Sequence, residues 1–213
     1  YGEGSGHDWF HIERVYNLAK YIAQKENANF FIVEMTALLH DIGRFYQIEN
    51  YHTYSDTKSI DHGKKGYEIL CENDFINKYI DYEQNIVLNA VLNHNKLEID
   101  DRLDEKTKFI TKIVRDADKI DILLEQVSII KDLNPTINKN IIDELLKGNM
   151  IKNDLVINDC DDILHNLAFI YDLNFKKSFE IVLDSKVIEN KINLLEIYIN
   201  EDLSFLKESL FNY

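Results

Sequence analysis

Almost nothing in this chain stops a helix. Its 213 residues include one proline, Pro135, and seven glycines, three of them in the opening YGEGSG. Proline costs about 3 kcal/mol and glycine about 1 kcal/mol in a helix interior, so long stretches lacking both favour helices. The apolar residues agree: Val15, Leu18, Ala19 and Ile22 recur at three and four, as do Val87, Ala90 and Val91, and then Ile110, Ile113, Val114 and Ala117. That is the spacing of one helical face, and no strand-type alternation persists. An all-α fold follows, with helices expected at about 9–25, 31–43, 59–72, 76–94, 104–132, 136–147, 160–171, 174–183 and 186–210.

Two places interrupt the pattern. Segment 44–58, RFYQIENYHTYSDTK, is polar and aromatic without a period and reads as an ordered loop of the functional sort. Asn134-Pro135 is the clearest break, because the residue before proline avoids the helical region and a new helix can start at the proline itself. The chain is therefore expected to divide into a core at 1–134 and a C-terminal helical extension at 135–213 packed on it. The extension has its own stripes (Ile163, Leu164, Leu167, Ala168 and Tyr171; Leu194, Leu195 and Tyr198) but few candidate ligands, and reads as packing or partner surface.

Charge narrows the partners. With 38 acidic against 24 basic residues the net charge is −14, a field that repels duplex DNA or RNA. No run of about 18 apolar residues is present, and no basic segment leads into an apolar one, so neither a membrane span nor a secretory signal is expected. Cys71 and Cys160 lie far apart without CxxC spacing and read as reduced thiols. These features predict a cytoplasmic protein with no nucleic-acid polymer and no membrane as partner. Self-association into a homo-oligomer is left open.

The stretch TALLHDIGRF, residues 36–45, sets the chemical problem. His40 and Asp41 stand side by side at the end of an apolar helical run, and a buried polar group without a partner costs roughly 1–3 kcal/mol. His11 precedes Val15 by four, His94 follows Ala90 by four, and His62 precedes Gly66 by four, so each of these rings also shares a face with packed residues. One polar centre gathering His11, His40, Asp41, His62 and His94 answers all these burial problems together, and a metal ion is the usual such centre. A further carboxylate is expected for charge compensation. IVRDADKID offers Asp116, Asp118 and Asp121: Asp121 falls within the stripe of Ile110, Val114 and Ala117, the other two lie at its edges, and helical projection alone does not choose.

The ordered set H, HD, H, H, D, carried by HIERV, LLHDIGR, DHGKKG, LNHNK and VRDADKID, resembles the HD superfamily of metal-dependent phosphohydrolases over about residues 7 to 125. The resemblance implies an HD-domain helical bundle. It also implies that the last ligand is the Asp of an Ala-Asp pair, Asp118, with Asp116 and Asp121 orienting ligands from behind. It makes His40, Asp41 and Asp118 the catalytic centre. The metal ligands are then His11, His40, Asp41 and Asp118, joined by His62 and His94 for a second ion, with Asp41 bridging. Such a nitrogen and oxygen donor set suits one or two divalent ions of Mn, Fe, Co, Ni or Zn.

The implied activity is cleavage of a phosphoester or phosphoanhydride in a small phosphorylated metabolite, a nucleotide first among them, by metal-activated hydroxide. Arg44, Lys65 and Lys119 are the candidate cations for the substrate's phosphate. Arg14 is expected to pair with an acidic neighbour and Asp8 to cap the first helix. Tyr46, Tyr51 and Tyr54 could wall a nucleobase, and His52 and Ser55 lie in the same loop. His7 precedes the first helix, and His165 has no partner motif. Two other readings stand beside this one: a binuclear-iron oxygenase on a similar scaffold, and a non-catalytic sensor module stabilised by metal.

Overall fold

The computed structural model describes residues 9–73, 83–125 and 135–211. Among them helices dominate and no strand occurs, so the chain is all-α as its spacing requires. The helices are α1 (Trp9–Lys25), α2 (Phe30–Leu39), α3 (Ile42–Tyr51), α4 (His62–Glu72), α5 (Gln84–Asn93), α6 (Glu105–Leu124), α7 (Lys139–Leu146), α8 (Asp159–Leu167), α9 (Lys176–Ser185), α10 (Val187–Ile199) and α11 (Ser204–Phe211). Short 3-10 turns run over Asp56–Lys58, Asn153–Leu155 and Ala168–Asp172. No helix among the described residues is long and apolar enough to cross a membrane.

The chain forms two compact units, Tyr1–Asp121 and Ile122–Tyr213. The expected boundary at Asn134 lies outside the described residues, as do His7, Asp8 and the stretches 76–82 and 126–132 of two expected helices. In the first unit α1 packs on α2, α3 on α4, and α5 on both α2 and α4. Val15, Ala19, Ile22, Ile32, Val33, Ala37, Val87, Ala90 and Val91 form its core with the apolar face of α6. Each valine or isoleucine among them contributes on the order of 1.5–3 kcal/mol when fully removed from water. In the second unit α10 packs against α8, α9 and α11, and α7 packs against α8 and α11.

Local chemistry explains several helix starts. Asn29 accepts from the Ile32 N–H at 3.3 Å, Asp61 from Lys64 at 3.0 Å, and Asn158 from Asp161 at 2.9 Å, each holding an otherwise orphaned helix N–H.

Two expectations fail. The expected helix 31–43 and loop 44–58 are replaced by α2, a break at His40–Asp41, and α3 running to Tyr51. The inward face of α3 is Gly43 and Gln47, a pair with no apolar signal to read. Gly43, the last residue of the expected helix 31–43, lies instead inside α3, and its φ is not positive. It is small because α4 passes against it: a Cβ there would lie 2.1 Å from the His62 carbonyl oxygen and 2.7 Å from the Gly66 nitrogen. Likewise the single expected helix 186–210 is two, α10 and α11, broken where Asn200 turns left-handed at φ 55°. Asp202 then accepts from the Ser204 N–H at 2.9 Å.

Candidate metal centre

Five helices bring the titratable residues together. His11 projects from α1, His62 is the first residue of α4, His94 caps α5, and Asp118 lies on α6. His40 ends α2 in helical geometry, and Asp41 leaves it at φ −98°, ψ 16°, the sparsely populated bridge region, before α3 begins. The two neighbours therefore stand in the gap between helices, off both packed faces.

The ligand atoms form two groups around one carboxylate. Asp41 Oδ2 lies 3.6 Å from His11 Nε2 and 3.7 Å from His40 Nε2, and Asp118 Oδ1 lies 3.2 Å and 3.7 Å from the same two nitrogens. Asp41 Oδ1 lies 3.3 Å from His62 Nε2 and 3.5 Å from His94 Nε2. One oxygen of Asp41 thus faces His11, His40 and Asp118, and the other faces His62 and His94. Each set could hold a metal ion.

What lies behind the rings fixes their chemistry. Every Nδ1 meets an acceptor: Asp121 for His11 at 2.7 Å, the Ala37 carbonyl for His40 at 2.7 Å, Asp56 for His62 at 2.7 Å, and the Val91 carbonyl for His94 at 2.7 Å. Carbonyls and carboxylates only accept, so Nδ1 carries a hydrogen in each ring, and it is Nε2 that faces the centre.

The donor set fits a divalent cation on two observations. His40 Nε2 is buried with no hydrogen-bond partner. His62 Nε2 and His94 Nε2 lie 3.0 Å apart, and burial lowers both rings' pKa, which leaves two neutral rings with facing lone pairs. Facing lone pairs repel unless a cation lies near both.

Carboxylates dominate the rest of the field. Burial disfavours a charge on His11, but Asp118 and Asp121 outweigh it and raise the ring to about 10. Burial would likewise raise Asp118, Asp121 and Asp56. His11 and His40 hold Asp118 well below the usual carboxylate range, His11 and Arg14 lower Asp121, and His62 and Arg44 lower Asp56. Arg14 fulfils its expected pairing, donating Nε to Asp121 at 2.6 Å and Nη2 at 3.0 Å.

The candidate phosphate-binding cations sit differently from one another. Arg44, in the first turn of α3, donates Nη1 to Gln47 at 2.9 Å, to Asp56 at 3.2 Å and to the Tyr54 carbonyl. Its buried Nε has no hydrogen-bond partner and lies 3.5 Å from Asp41 Oδ1. Lys65, in the first turn of α4, lies 3.3 Å from Glu68 and 4.3 Å above the Tyr46 ring. Lys119 is buried on α6, as is Asp116. Tyr46 and Tyr51 are exposed on α3, and His52 ends that helix in the left-handed region. Ser55 bonds Thr57, and His165, in the second unit, packs edge-on against Phe169.

Two residues that sequence reasoning passed over lie directly behind this site. Asp56 joins His62 to Arg44 and Gln47, and Asn95 donates to it at 3.1 Å. Arg115, the residue before Asp116, is fully buried against the end of α5. A carboxylate six residues before a histidine, and a charge within an apolar stripe, were the only signals in the sequence.

Known proteins resemble this chain in sequence and fold. The model of the family described as HD domain matches residues 9–123. Over 40 residues, 19% of this chain, the sequence is 60% identical to the uncharacterized protein YpgQ of Bacillus subtilis (strain 168), and the matched stretch spans 20% of that protein. The fold is similar to that of a predicted HD superfamily hydrolase from an uncultured Thermotogales bacterium, with a TM-score of 0.53 and 18% identity, covering 92% of this chain and 84% of that one. An HD-superfamily hydrolase from Bacillus thuringiensis aligns with a TM-score of 0.49 at 22% identity, covering 94% of this chain and 90% of that one. The family match spans more than half of the chain and takes in all six converging residues: the chain belongs to the HD-domain family.

Proposed function

We propose that the chain is a metal-dependent phosphohydrolase that holds two divalent ions and cleaves a phosphoester or phosphoanhydride of a small phosphorylated metabolite, a nucleotide in the first instance. The observation that carries the reading is Asp41, whose two oxygens face separate donor groups while the partnerless Nε–H of Arg44 lies 3.5 Å from one of them. His11, His40 and Asp118 would hold one ion and His62 and His94 the other, with Asp41 shared. Ions held there supply Lewis acidity and can lower the pKa of water from 15.7 towards ~7.

The chain's own residues do the rest. The Nδ1 partners fix a hydrogen on Nδ1 of all four rings, so none has to shift between the two nitrogens of a ring as the site assembles; His11, charged near neutral pH, gives up the proton on its Nε2. Arg44 Nε offers one N–H to a phosphoryl oxygen without giving up the bonds its Nη1 makes. Lys65 and Lys119 are the further candidate cations for that charge. Exposed Tyr46, with Lys65 above its ring, supports a flat, partly apolar substrate such as a nucleobase. The acidic surface and separated cysteines support work in a reducing cytoplasm.

The deciding experiment strips the protein with a chelator, restores manganese or cobalt under anaerobic conditions, and measures phosphate release from a panel of nucleoside phosphates, sugar phosphates and phosphodiesters. Release without oxygen is expected and excludes the oxygenase reading. If nothing is released from the whole panel while metal still raises the melting temperature, the phosphohydrolase proposal fails in favour of the sensor.

A further inference from the structure

We propose that Arg115 is a positioning residue that builds the His94 half of the metal centre from the helix that carries Asp118. The proposal rests on the two-ion reading above. Helix α5 ends at Asn93 with His94 as its cap, and the last carbonyls of a helix have no partner inside it. Arg115 supplies partners at that end and in the turn beyond it: Nη1 lies 3.1 Å from the Asn93 oxygen, 3.2 Å from that of His94 and 2.5 Å from that of Lys96, and Nη2 lies 3.4 Å from that of Leu97.

The side chain is 1% exposed, so water cannot serve its donors, and a buried charge without hydrogen bonds is costly. A cation also suits the negative end of the helix dipole. A planar guanidinium meets several spread carbonyls from one position, which an ammonium on a flexible stem cannot do equally well.

The consequence falls on one ring. His94 donates Nδ1 to the Val91 carbonyl, three residues back on its own helix, with no carboxylate behind it. Its ring direction therefore follows the backbone at the end of α5, which Arg115 ties to α6. The turn beyond is closed by Asn93, whose side-chain oxygen accepts from the Asp100 N–H at 3.1 Å. Asp118 stands three residues after Arg115 on the same helix, so α6 sets both the carboxylate of the first group and the histidine of the second.

The test uses the full chain as Arg115→Lys and Arg115→Met. Cobalt titrated calorimetrically into the stripped protein reads the two ions separately, with the first as internal control. We expect Arg115→Lys to weaken the second ion about tenfold and leave the first unchanged, and Arg115→Met to lose the second. Equal weakening of both ions, or wild-type binding of both by Arg115→Lys, overturns the proposal. If Arg115→Met does not fold, Arg115→Lys decides alone. Histidine-ring NMR of the metal-free protein gives an independent readout: the His94 Nδ1–H signal should shift or exchange faster in Arg115→Lys while that of His40 does not. An unchanged His94 signal overturns the positioning role even if the two-ion reading fails, and a wild type that takes up no ion overturns only that reading.

Discussion

Replacing Gly43 with alanine should damage the site more than its stability. The added Cβ would lie 2.1 Å from the His62 oxygen, 2.7 Å from the Gly66 nitrogen and 3.0 Å from the His62 carbonyl carbon, all backbone atoms with no side-chain freedom to yield. Restoring an ordinary 3.4 Å contact requires the first turn of α4 to retreat by about 1.3 Å from α3. Overpacking of this kind costs about 1–3 kcal/mol, and the helix preference for alanine returns at most ~1 kcal/mol. A clash with unyielding backbone puts the cost at the upper end of that range, which leaves an expected net loss of about 2 kcal/mol. His62 is the first residue of that turn, and its Nε2 sits 3.3 Å from Asp41 and 3.0 Å from His94, so the same retreat opens both distances beyond a shared ion. Gly66→Ala is the comparison, because its Cβ would meet only the tips of Val91 at 3.1 Å and Ile42 at 3.3 Å among side chains. Urea unfolding and metal content measure the two effects. If Gly43→Ala unfolds at the wild-type midpoint and retains two ions, the close helix approach does not position His62.

Four further outcomes follow from the geometry. Asp118→Ala should abolish binding of the ion at His11 and His40 and Asp116→Ala only weaken it, and equal metal content of the two purified variants would refute the choice of Asp118. Asp56→Asn keeps an acceptor for His62 but loses the charge, so second-ion affinity should fall about 10–100-fold with the first unchanged, read by the same cobalt titration. Because His11 is raised to about 10, its ring is charged near neutral pH and an ion at Nε2 must expel that proton; calorimetry in buffers of different ionisation enthalpy should show about one proton released, with affinity rising as pH rises towards 10. In the second unit, burial lowers Lys191 from 10.5 to about 8, against the pull of Glu125 and Asp162. Between those values the unfolded chain binds more protons than the folded one, so stability rises with pH there; Lys191→Met should add up to ~3 kcal/mol at pH 7 and flatten the rise, and urea midpoints at pH 7 and above pH 9 check both.

The histidines show how far a linear pattern reaches. His11, His62 and His94 stand on apolar faces at spacings of three and four, and that alone brought them into one candidate centre with His40 and Asp41. Asp118 was harder, and the reason lies in α6. Residues Ile113, Val114, Arg115, Asp116 and Ala117 are all buried, so over this stretch the helix has no solvent face for a projection to contrast with its core face. Helix α3 was missed for the opposite reason. Its inward face is a glycine and a glutamine, and Gln47 earns its buried place by donating to Asp56 at 2.9 Å and Ser59 at 2.8 Å.

By itself the sequence determined the helical class, most helix starts and the order of the residues that converge, because helix propensity, capping and periodicity act within a few neighbours along the chain. The tertiary structure alone decided which oxygen of Asp41 faces which histidines, that Asp121 stands behind His11 from 110 residues away, and that Arg115 ends the helix bearing His94. These are contacts between distant segments whose geometry depends on how close two helices can pass. At Gly43 that closeness comes down to the absence of one carbon atom.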